Sequence, residues 1–199
     1  MGQYSIDPDF AELIVETILR YKPDHVLELG SGTSTVICGY ALRYLTKGSL
    51  TSVDHDLKYT DITRKEIQRH GIDDIVRILH APLKDIELHG RAYRWYDPGL
   101  LEQMLPVDLL IVDGPPARSG KFIRYPALPM LYSRMSKASA ILVDDASRYE
   151  EGEMVRLWLS EFENLQANYI PTVKSACLLL LDKGQAGLKA PFHHTEGDD

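Results

Sequence analysis

The 199-residue sequence has little cysteine, little positive charge and no long apolar segment. Two cysteines cannot build a disulfide framework, and the apolar neighbours of Cys38 and Cys177 predict two buried thiols. The longest apolar run, residues 176–181, is too short to cross a bilayer. A formal net charge of -7 argues against nucleic acid as the main partner, because phosphate binding needs a basic face. We therefore expect neither a membrane nor a nucleic-acid partner.

The ends of the sequence give expectations about location and domain organisation. The first ten residues, MGQYSIDPDF, are polar and acidic and do not resemble a signal peptide, so we expect a cytoplasmic protein. The length suits one domain, which we place at residues 1–182, with a tail at 183–199 that lacks periodicity. His193 and His194 in this tail have no cysteine or third histidine nearby, which favours inert residues over metal ligands.

Short apolar runs alternate with longer amphipathic segments, and this alternation predicts a parallel sheet with helices on both faces. We expect one doubly wound α/β domain with a seven-stranded, mostly parallel sheet and an antiparallel hairpin at its carboxyl-terminal edge. The predicted strands are residues 25–30, 49–54, 74–80, 107–113, 138–145, 168–171 and 175–181. The predicted helices begin near residue 7 and near residues 34, 59 and 150. Residues 81–106, rich in tyrosine, tryptophan and histidine, are expected to be irregular.

Polar residues cluster at the points where the predicted strands end. Doubly wound sheets bind ligands beyond the carboxyl ends of their strands, at the switch point beside the first strand. A carboxylate in such a crevice must be solvated, paired or bound to a ligand. The sequence therefore predicts a ligand site built from the residues at the ends of strands one, two, four and five, which are Glu28, Gly30, Ser31, Gly32, Asp54, His55, Asp113, Asp144 and Asp145.

The turn ELGSGTS differs from the dinucleotide-binding pattern G-x-G-x-x-G, because Thr35 stands at the third glycine position. Glu28 would repel a diphosphate but suits the cationic methionyl part of S-adenosylmethionine (SAM). Asp54 follows Gly30 by 24 residues, at a strand end where a carboxylate can accept hydrogen bonds from both ribose hydroxyls. A surface aspartate at a strand end is the alternative interpretation of Asp54.

The string VLELGSGTST resembles motif I of class I SAM-dependent methyltransferases, and SVDHD resembles their acidic-ended second strand. WYD, DLLIVDGPP, RYPALP and ILVDDASRYEE resemble a bacterial methyltransferase-domain branch of that superfamily, and the likeness covers residues 25–160. The resemblance implies SAM as cofactor, with its methionyl end at the first turn, its ribose at the second strand and its adenine after the third. The cofactor-binding set expected on this basis is Glu28, Gly30, Ser31, Gly32, Ser34, Asp54, His55, Ala81 and Asp113.

A second resemblance, to catechol-type O-methyltransferases, concerns Asp113, Asp144 and Asp145. Those enzymes hold Mg²⁺ with an aspartate after strand four and an Asp-Asn pair after strand five, which implies Mg²⁺ or Ca²⁺ on these three carboxylates. This chain departs from them, with Asp145 in place of the asparagine and Pro116 in place of a lysine. Alternatively, Asp144 or Asp145 caps the next helix or pairs with Arg148. Asp113 and Asp144 are the candidate catalytic bases, ahead of His55.

The acceptor pocket is expected beneath the segment 118–129, whose Arg118, Lys121 and Arg124 could hold a carboxylate or phosphate of the substrate. A solvated loop fits this segment equally well. The aromatic residues at 93, 95 and 96 favour core packing over a pocket wall. We therefore expect an enzyme that methylates a hydroxyl of a small molecule. If the basic residues of the segment face the substrate, that molecule is anionic. The alternative functions are a catalytically silent SAM-binding partner protein and a nicotinamide-dependent dehydrogenase. Separately, pairing of two chains through the edge hairpin would give a homodimer.

Overall fold

A computed structural model describes residues 6–101 and 104–184 of the chain. The strands are β1 (His25–Leu29), β2 (Ser49–Asp54), β3 (Val76–His80), β4 (Leu83–Leu88), β5 (Arg91–Tyr96), β6 (Val107–Val112), β7 (Met135–Val143), β8 (Leu165–Ile170) and β9 (Ala176–Asp182). The helices are α1 (Pro8–Tyr21), α2 (Thr33–Leu45), α3 (Leu57–Arg69), α4 (Pro98–Leu101), α5 (Ala127–Leu131) and α6 (Tyr149–Glu161). Short 3₁₀ turns lie at Ala117–Ser119 and Tyr132–Arg134.

The central sheet has seven strands in the order β3-β2-β1-β6-β7-β9-β8. The first five are parallel, whereas β9 is antiparallel to both β7 and β8. Strand order therefore reverses between β1 and β6, which is the switch point of a doubly wound sheet. The predicted fold class, including the antiparallel hairpin at the edge, is confirmed.

Local sequence explains why the elements begin and end as they do. Pro8 occupies the first turn of α1, and the helix ends at Lys22, whose φ of 48° lies in the left-handed region just before a proline. Asp56 caps α3 by accepting a hydrogen bond from the backbone N–H of Lys58 over 2.8 Å. All five residues of β1 are buried, as expected for a central parallel strand covered on both faces.

Two apolar clusters lie on opposite faces of the sheet. One contains α1 residues such as Phe10 and Ile14 together with α2 and α3, and the other is built around Trp95, Tyr96 and Trp158. Helices on both faces thus bury the central strands of the sheet, which leaves the strand ends as the place for polar chemistry. Cys38 and Cys177 are buried free thiols, as predicted.

Residues 81–106 are not irregular, because they contain the antiparallel hairpin β4–β5. The turn is His89-Gly90, and both residues have positive φ, 52° and 73°, as two-residue hairpin turns of the I′ kind require. The prediction missed it because histidine is not a usual first residue of such a turn. Trp95 and Tyr96 at the end of β5 are fully buried. Tyr93 stacks on Tyr125 with ring centroids 5.3 Å apart.

The part of the predicted tail that follows Gly184 lies outside the described residues, and this part includes His193 and His194. Among residues 6–101 and 104–184, no helix has the length and apolar character needed to cross a membrane.

Candidate functional site

A cavity of about 420 Å³ opens at the carboxyl ends of β1, β2, β6 and β7, at the switch point of the sheet. Its volume lies within the range of small-molecule pockets, roughly 300–1,000 Å³. Most of the predicted site residues line it, namely Gly30, Ser31, Gly32, Ser34, Asp54, His55, Asp113, Asp144 and Asp145. Glu28 and Ala81 are fully buried and are not part of the lining.

The glycine turn after β1 forms one wall of the cavity. Gly30 has a φ of 102°, and a Cβ there would lie 3.2 Å from the backbone nitrogen of Gly114, so only glycine fits without strain. A Cβ on Gly32 would meet nothing within 4 Å, which leaves open space above its backbone. The helix α2 begins at Thr33, directly after this open position. The positive end of its dipole therefore faces the cavity and favours an anionic group of a ligand there.

Asp54, at the end of β2, is fixed by hydrogen bonds from both sides. Its Oδ2 accepts from the backbone N–H of Ser31 over 2.9 Å, and its Oδ1 accepts from the backbone N–H of Asp56 over 2.9 Å. His55 Nδ1 lies 3.3 Å from Oδ1. Burial alone would raise the pKa of Asp54, but the hydrogen bonds from His55, Asp56 and Ser31 outweigh it and lower that pKa. Asp54 therefore stays ionised near neutral pH and presents acceptor oxygens to the cavity.

Glu28 lies beneath the glycine turn instead of facing the cavity. Its Oε2 accepts hydrogen bonds from the hydroxyls of Thr35 and Ser52, both over 2.5 Å, while Oε1 has no hydrogen-bond partner among the described residues. Burial raises the pKa of Glu28 to about 7, against the lowering effect of hydroxyls that include Ser34. The expected contact between Glu28 and the methionyl group is thus replaced by a structural role, since its side chain holds α2 to β2.

Ala81 also differs from its expected place. Its side chain is fully buried in the core, and its backbone N–H donates to the carbonyl of Asp54 over 2.8 Å. Ala81 therefore extends the pairing of β3 with β2 and does not line the cavity.

Three carboxylates meet on a second wall of the cavity, formed by the residues after β6 and β7. One oxygen each of Asp113, Asp144 and Asp145 lies within 4.8 Å of the others, as their positions after β6 and β7 predicted. Burial raises the pKa of Asp113 to about 7, and the Arg124 charge opposes this rise while repulsion from Asp144 and Asp145 adds to it. Burial and repulsion from Asp145 also raise the pKa of Asp144. A carboxylate that titrates near neutral pH can accept a proton from a ligand.

Arg124 lines the cavity, but its guanidinium is bound by groups of the protein itself. Its side chain is buried, and it donates to the backbone carbonyls of Asp113 over 2.6 Å and of Pro115 over 3.2 Å. Lys121 is exposed and is not in the cavity lining, whereas Arg118 does line it. Of the predicted basic group, Arg118 and Arg124 therefore line the cavity and Lys121 does not, and the carbonyl groups after β6 accept hydrogen bonds from Arg124.

Two cationic side chains from elsewhere complete this wall. Arg148 Nη1 pairs with Oδ2 of Asp145 over 2.7 Å, which confirms the alternative pairing considered for Asp145. Lys174 lies in the turn between β8 and β9, with its Nζ 2.8 Å from Oδ2 of Asp7 and 4.0 Å from Oδ1 of Asp145. Nothing in the local sequence around Lys174 indicates this role. Only the antiparallel return of β9 beside β7 brings it to the site.

Tyr96 is a further lining residue, for which the sequence favoured core packing over a pocket wall. Its hydroxyl is buried and has no hydrogen-bond partner among the described residues. A Cβ on Gly114 would lie 2.7 Å from that hydroxyl. The tyrosine therefore packs directly against the place where the turn at Gly114 contacts the turn at Gly30. The hairpin β4–β5 therefore supplies both core packing and part of the cavity.

Solved structures with the same fold are methyltransferases. The O-methyltransferase from Bacillus cereus in complex with SAH (the demethylated product, S-adenosylhomocysteine) matches with 14% identity and a TM-score of 0.67, over 91% of this chain and 84% of that one. The O-methyltransferase TomG from Streptomyces achromogenes, in complex with SAM, matches with 15% identity and a TM-score of 0.67, over 92% and 83%. A methyltransferase from Geobacter sulfurreducens matches with 13% identity and a TM-score of 0.65, over 89% and 80%.

Sequence comparison gives the family directly. No curated protein matches the sequence significantly. The profile of the family described as "Methyltransferase domain" matches residues 27–146, which is more than half of the chain. The match runs from β1 to the residue after the Asp144–Asp145 pair, so it includes both walls of the cavity. The chain therefore belongs to the methyltransferase-domain family.

Proposed function

We propose that this protein is a SAM-dependent methyltransferase that transfers a methyl group to a hydroxyl of a small molecule. The observation that carries the proposal is the single cavity with two different walls. Residues 30–34 and Asp54 form one wall, and Asp113 and Asp144 lie on the other. Two neighbours of similar fold are O-methyltransferases with SAM or SAH bound, which supports both the donor and the type of acceptor.

The first wall fits SAM by its donors, acceptors and open space. The open backbone at Gly32 and the amino-terminal end of α2 would hold the carboxylate of the methionyl group. The ionised carboxylate of Asp54 would accept hydrogen bonds from the ribose hydroxyls, and His55 beside it would contact the adenine. SAM supplies an electrophilic methyl group on a sulfonium.

The chain itself has to position the acceptor and remove its proton. Fixing two reactants in an aligned geometry lowers a barrier by about 7–11 kcal/mol. A positioned base adds about 10²–10⁴-fold when the nucleophile is a hydroxyl. Asp113 and Asp144 suit this task, because burial raises the pKa of Asp113 to about 7, and burial and repulsion from Asp145 also raise the pKa of Asp144. One of these carboxylates would accept the hydroxyl proton while the acceptor oxygen bonds to the methyl carbon and the carbon–sulfur bond breaks, which leaves neutral SAH.

The cavity also favours certain acceptors. Arg118, Arg148 and Lys174 border the second wall, which supports an acceptor that carries a carboxylate or phosphate beside its hydroxyl. The volume of about 420 Å³ suits a small molecule.

The acidic cluster, defined as Asp113, Asp144 and Asp145, does not fit a three-carboxylate site for Mg²⁺ or Ca²⁺ in this arrangement. Oδ2 of Asp145 already pairs with Arg148 over 2.7 Å and with Arg124 over 3.4 Å. A divalent cation would have to displace these charges or lie beside them. No step of the proposed reaction is therefore assigned to a metal.

A catalytically silent SAM-binding partner protein is the competing function, and a nicotinamide-dependent dehydrogenase is a third. Calorimetry of the full chain with SAM, SAH and NAD tests the dehydrogenase. We expect saturable binding heat with SAM and SAH and none with NAD. Release of SAH from SAM in the presence of phenols, sugars and hydroxy acids distinguishes a methyltransferase from a silent partner protein. Asp144→Asn is the low-activity control. Absence of heat with both SAM and SAH would overturn the proposal, and binding without SAH release would favour the silent partner.

A further inference from the structure

We infer that Arg124 supplies, from within the chain, the positive charge that holds the acidic cluster together, and that the site works without a divalent cation. The inference rests on the proposed function, because it assigns the electrostatics of the wall that faces the acceptor. It concerns the role of one buried arginine and two partly exposed cationic neighbours, Arg148 and Lys174.

The geometry of Arg124 is the first part of the argument. Its side chain is only 5% exposed and lies between the ends of β6 and β7. Nη2 donates to the backbone carbonyl of Asp113 over 2.6 Å, and Nη1 reaches the backbone carbonyl of Asp144 over 3.4 Å. The same guanidinium lies 3.3 Å from the Asp113 carboxylate and 3.4 Å from that of Asp145. Because a guanidinium keeps its charge at all relevant pH values, the cluster always has a cation beside it.

Competition for ligand atoms is the second part. Mg²⁺ and Ca²⁺ take six or more oxygen ligands, and their sites in proteins depend on carboxylate oxygens that are free to coordinate. At this cluster, Oδ2 of Asp145 is shared by Arg124 and Arg148, while Oδ1, which has no hydrogen-bond partner among the described residues, lies 4.0 Å from the ammonium group of Lys174. A divalent cation among these groups would lie close to several like charges, whose repulsion is strong where water is scarce.

Charge balance is the third part. Arg124 Nε also lies 3.9 Å from Oε1 of Glu151, which is buried at the start of α6. The cluster, Glu151 and Asp7, which pairs with Lys174, together have five carboxyl groups, and Arg124, Arg148 and Lys174 carry three positive charges. Of these three cations, Arg124 contacts the most carboxylates, since oxygens of Asp113, Asp145 and Glu151 all lie within 4.0 Å of its guanidinium.

Arg124 is accordingly a positioning residue. Its bonds to the backbone carbonyls after β6 and β7 keep the two strand ends at a fixed separation, so that Asp113 and Asp144 face the cavity side by side. It acts on the reaction through these two carboxylates.

The direct test is titration of the chelator-treated full chain with Mn²⁺, followed by calorimetry with SAM on the same sample. We expect no saturable Mn²⁺ binding with a Kd below about 1 mM, together with normal SAM heat. Saturable Mn²⁺ binding that disappears in Asp144→Asn would overturn the inference. If no heat of SAM binding is measured, the proposed function is overturned instead. The Mn²⁺ titration would still decide whether the acidic cluster binds a divalent cation.

Variants of Arg124 test its positioning role. Arg124→Met should lower kcat at least tenfold, keep SAM affinity within about threefold and gain Mn²⁺ binding, because the carboxylates lose their internal cation. Arg124→Lys should retain part of kcat and gain no Mn²⁺ site. Arg156→Met, which removes an exposed arginine paired only with Glu153, is the matched control.

The activity of the unmodified chain gives a result that does not depend on the variants folding. SAH release should be unchanged by EDTA and by added Mg²⁺. Loss of turnover in EDTA that Mg²⁺ restores would overturn the inference, and so would an unchanged kcat in a folded Arg124→Met variant.

Discussion

Ser31 donates both its backbone N–H and its hydroxyl to one carboxylate oxygen of Asp54, over 2.9 and 3.1 Å. The two bonds join the glycine turn after β1 to the end of β2. Asp54 thus has a structural task as well as the proposed task of binding ribose. Its lowered pKa means that both tasks are performed by the ionised carboxylate near neutral pH.

The first prediction concerns this carboxylate. Asp54→Ala should weaken SAM binding at least tenfold, about 1.4 kcal/mol, because the ribose hydroxyls lose their acceptor and the turn loses its anchor. Calorimetry measures the affinity. Asp61→Ala on α3, which removes an exposed aspartate paired with Arg64, is the control and should leave the affinity unchanged. Equal affinity of Asp54→Ala and the unmodified chain would show that the ribose assignment is wrong.

The second prediction concerns the glycine turn. Gly30→Ala combines a left-handed φ of 102° with a contact of 3.2 Å to the Gly114 backbone, so we expect a loss of about 2–4 kcal/mol in the free energy of unfolding. Gly71→Ala has a comparable left-handed φ of 62° but nothing within 4 Å, and it should cost only about 1–2 kcal/mol. Urea unfolding of both variants measures the difference. Equal losses in the two variants would mean that the turns at Gly30 and Gly114 can move apart without cost.

The third prediction concerns Glu28 and pH. Its pKa rises from an ordinary 4.5 to about 7 in the folded state, because burial disfavours the charge. Between these pH values the folded chain binds more protons than the unfolded chain, so this residue makes the free energy of unfolding fall as pH rises, by on the order of 3 kcal/mol in total. Glu28→Gln should remove that decline. Unfolding curves at pH 5 and pH 8 measure it, and the same decline in both proteins would contradict the assignment.

The fourth prediction concerns the proposed base. Activity should rise with pH up to about 7, because the carboxylate that accepts the proton must be ionised. Asp144→Asn should lower kcat by about 10²–10⁴-fold with little change in SAM affinity. The residual activity should titrate at lower pH, since Asp113 loses the repulsion of its neighbour.

The matched control for this prediction is Asp85→Asn, which changes an exposed carboxylate on β4 that does not line the cavity. It should leave both kcat and the pH profile unchanged. A profile of Asp144→Asn that rises at the same pH as that of the unmodified chain would show that the two carboxylates are not coupled.

The fold and one wall of the site could be read from the sequence because their signals are local. Apolar runs of strand length alternate with amphipathic helices, and parallel strands bring their carboxyl ends to one edge. Asp54 is the last residue of its strand, and Gly30, Asp113 and Asp144 each follow one directly, so the order of the strands was enough to bring them together. The hairpin β4–β5 was missed because its turn, His89-Gly90, lacks the usual asparagine or aspartate.

Side-chain direction and distant partners were decided by the tertiary structure. Glu28 and Gly30 are two residues apart, yet the glutamate lies under α2 while the glycine lines the cavity, and only packing of α2 on the sheet determines this. Lys174 reaches Asp145 through the return of β9 beside β7, and Arg124 turns inward because the carbonyls after β6 need donors. Sequence periodicity records which residues are apolar, but long-range charge pairing depends on which segments fold next to each other.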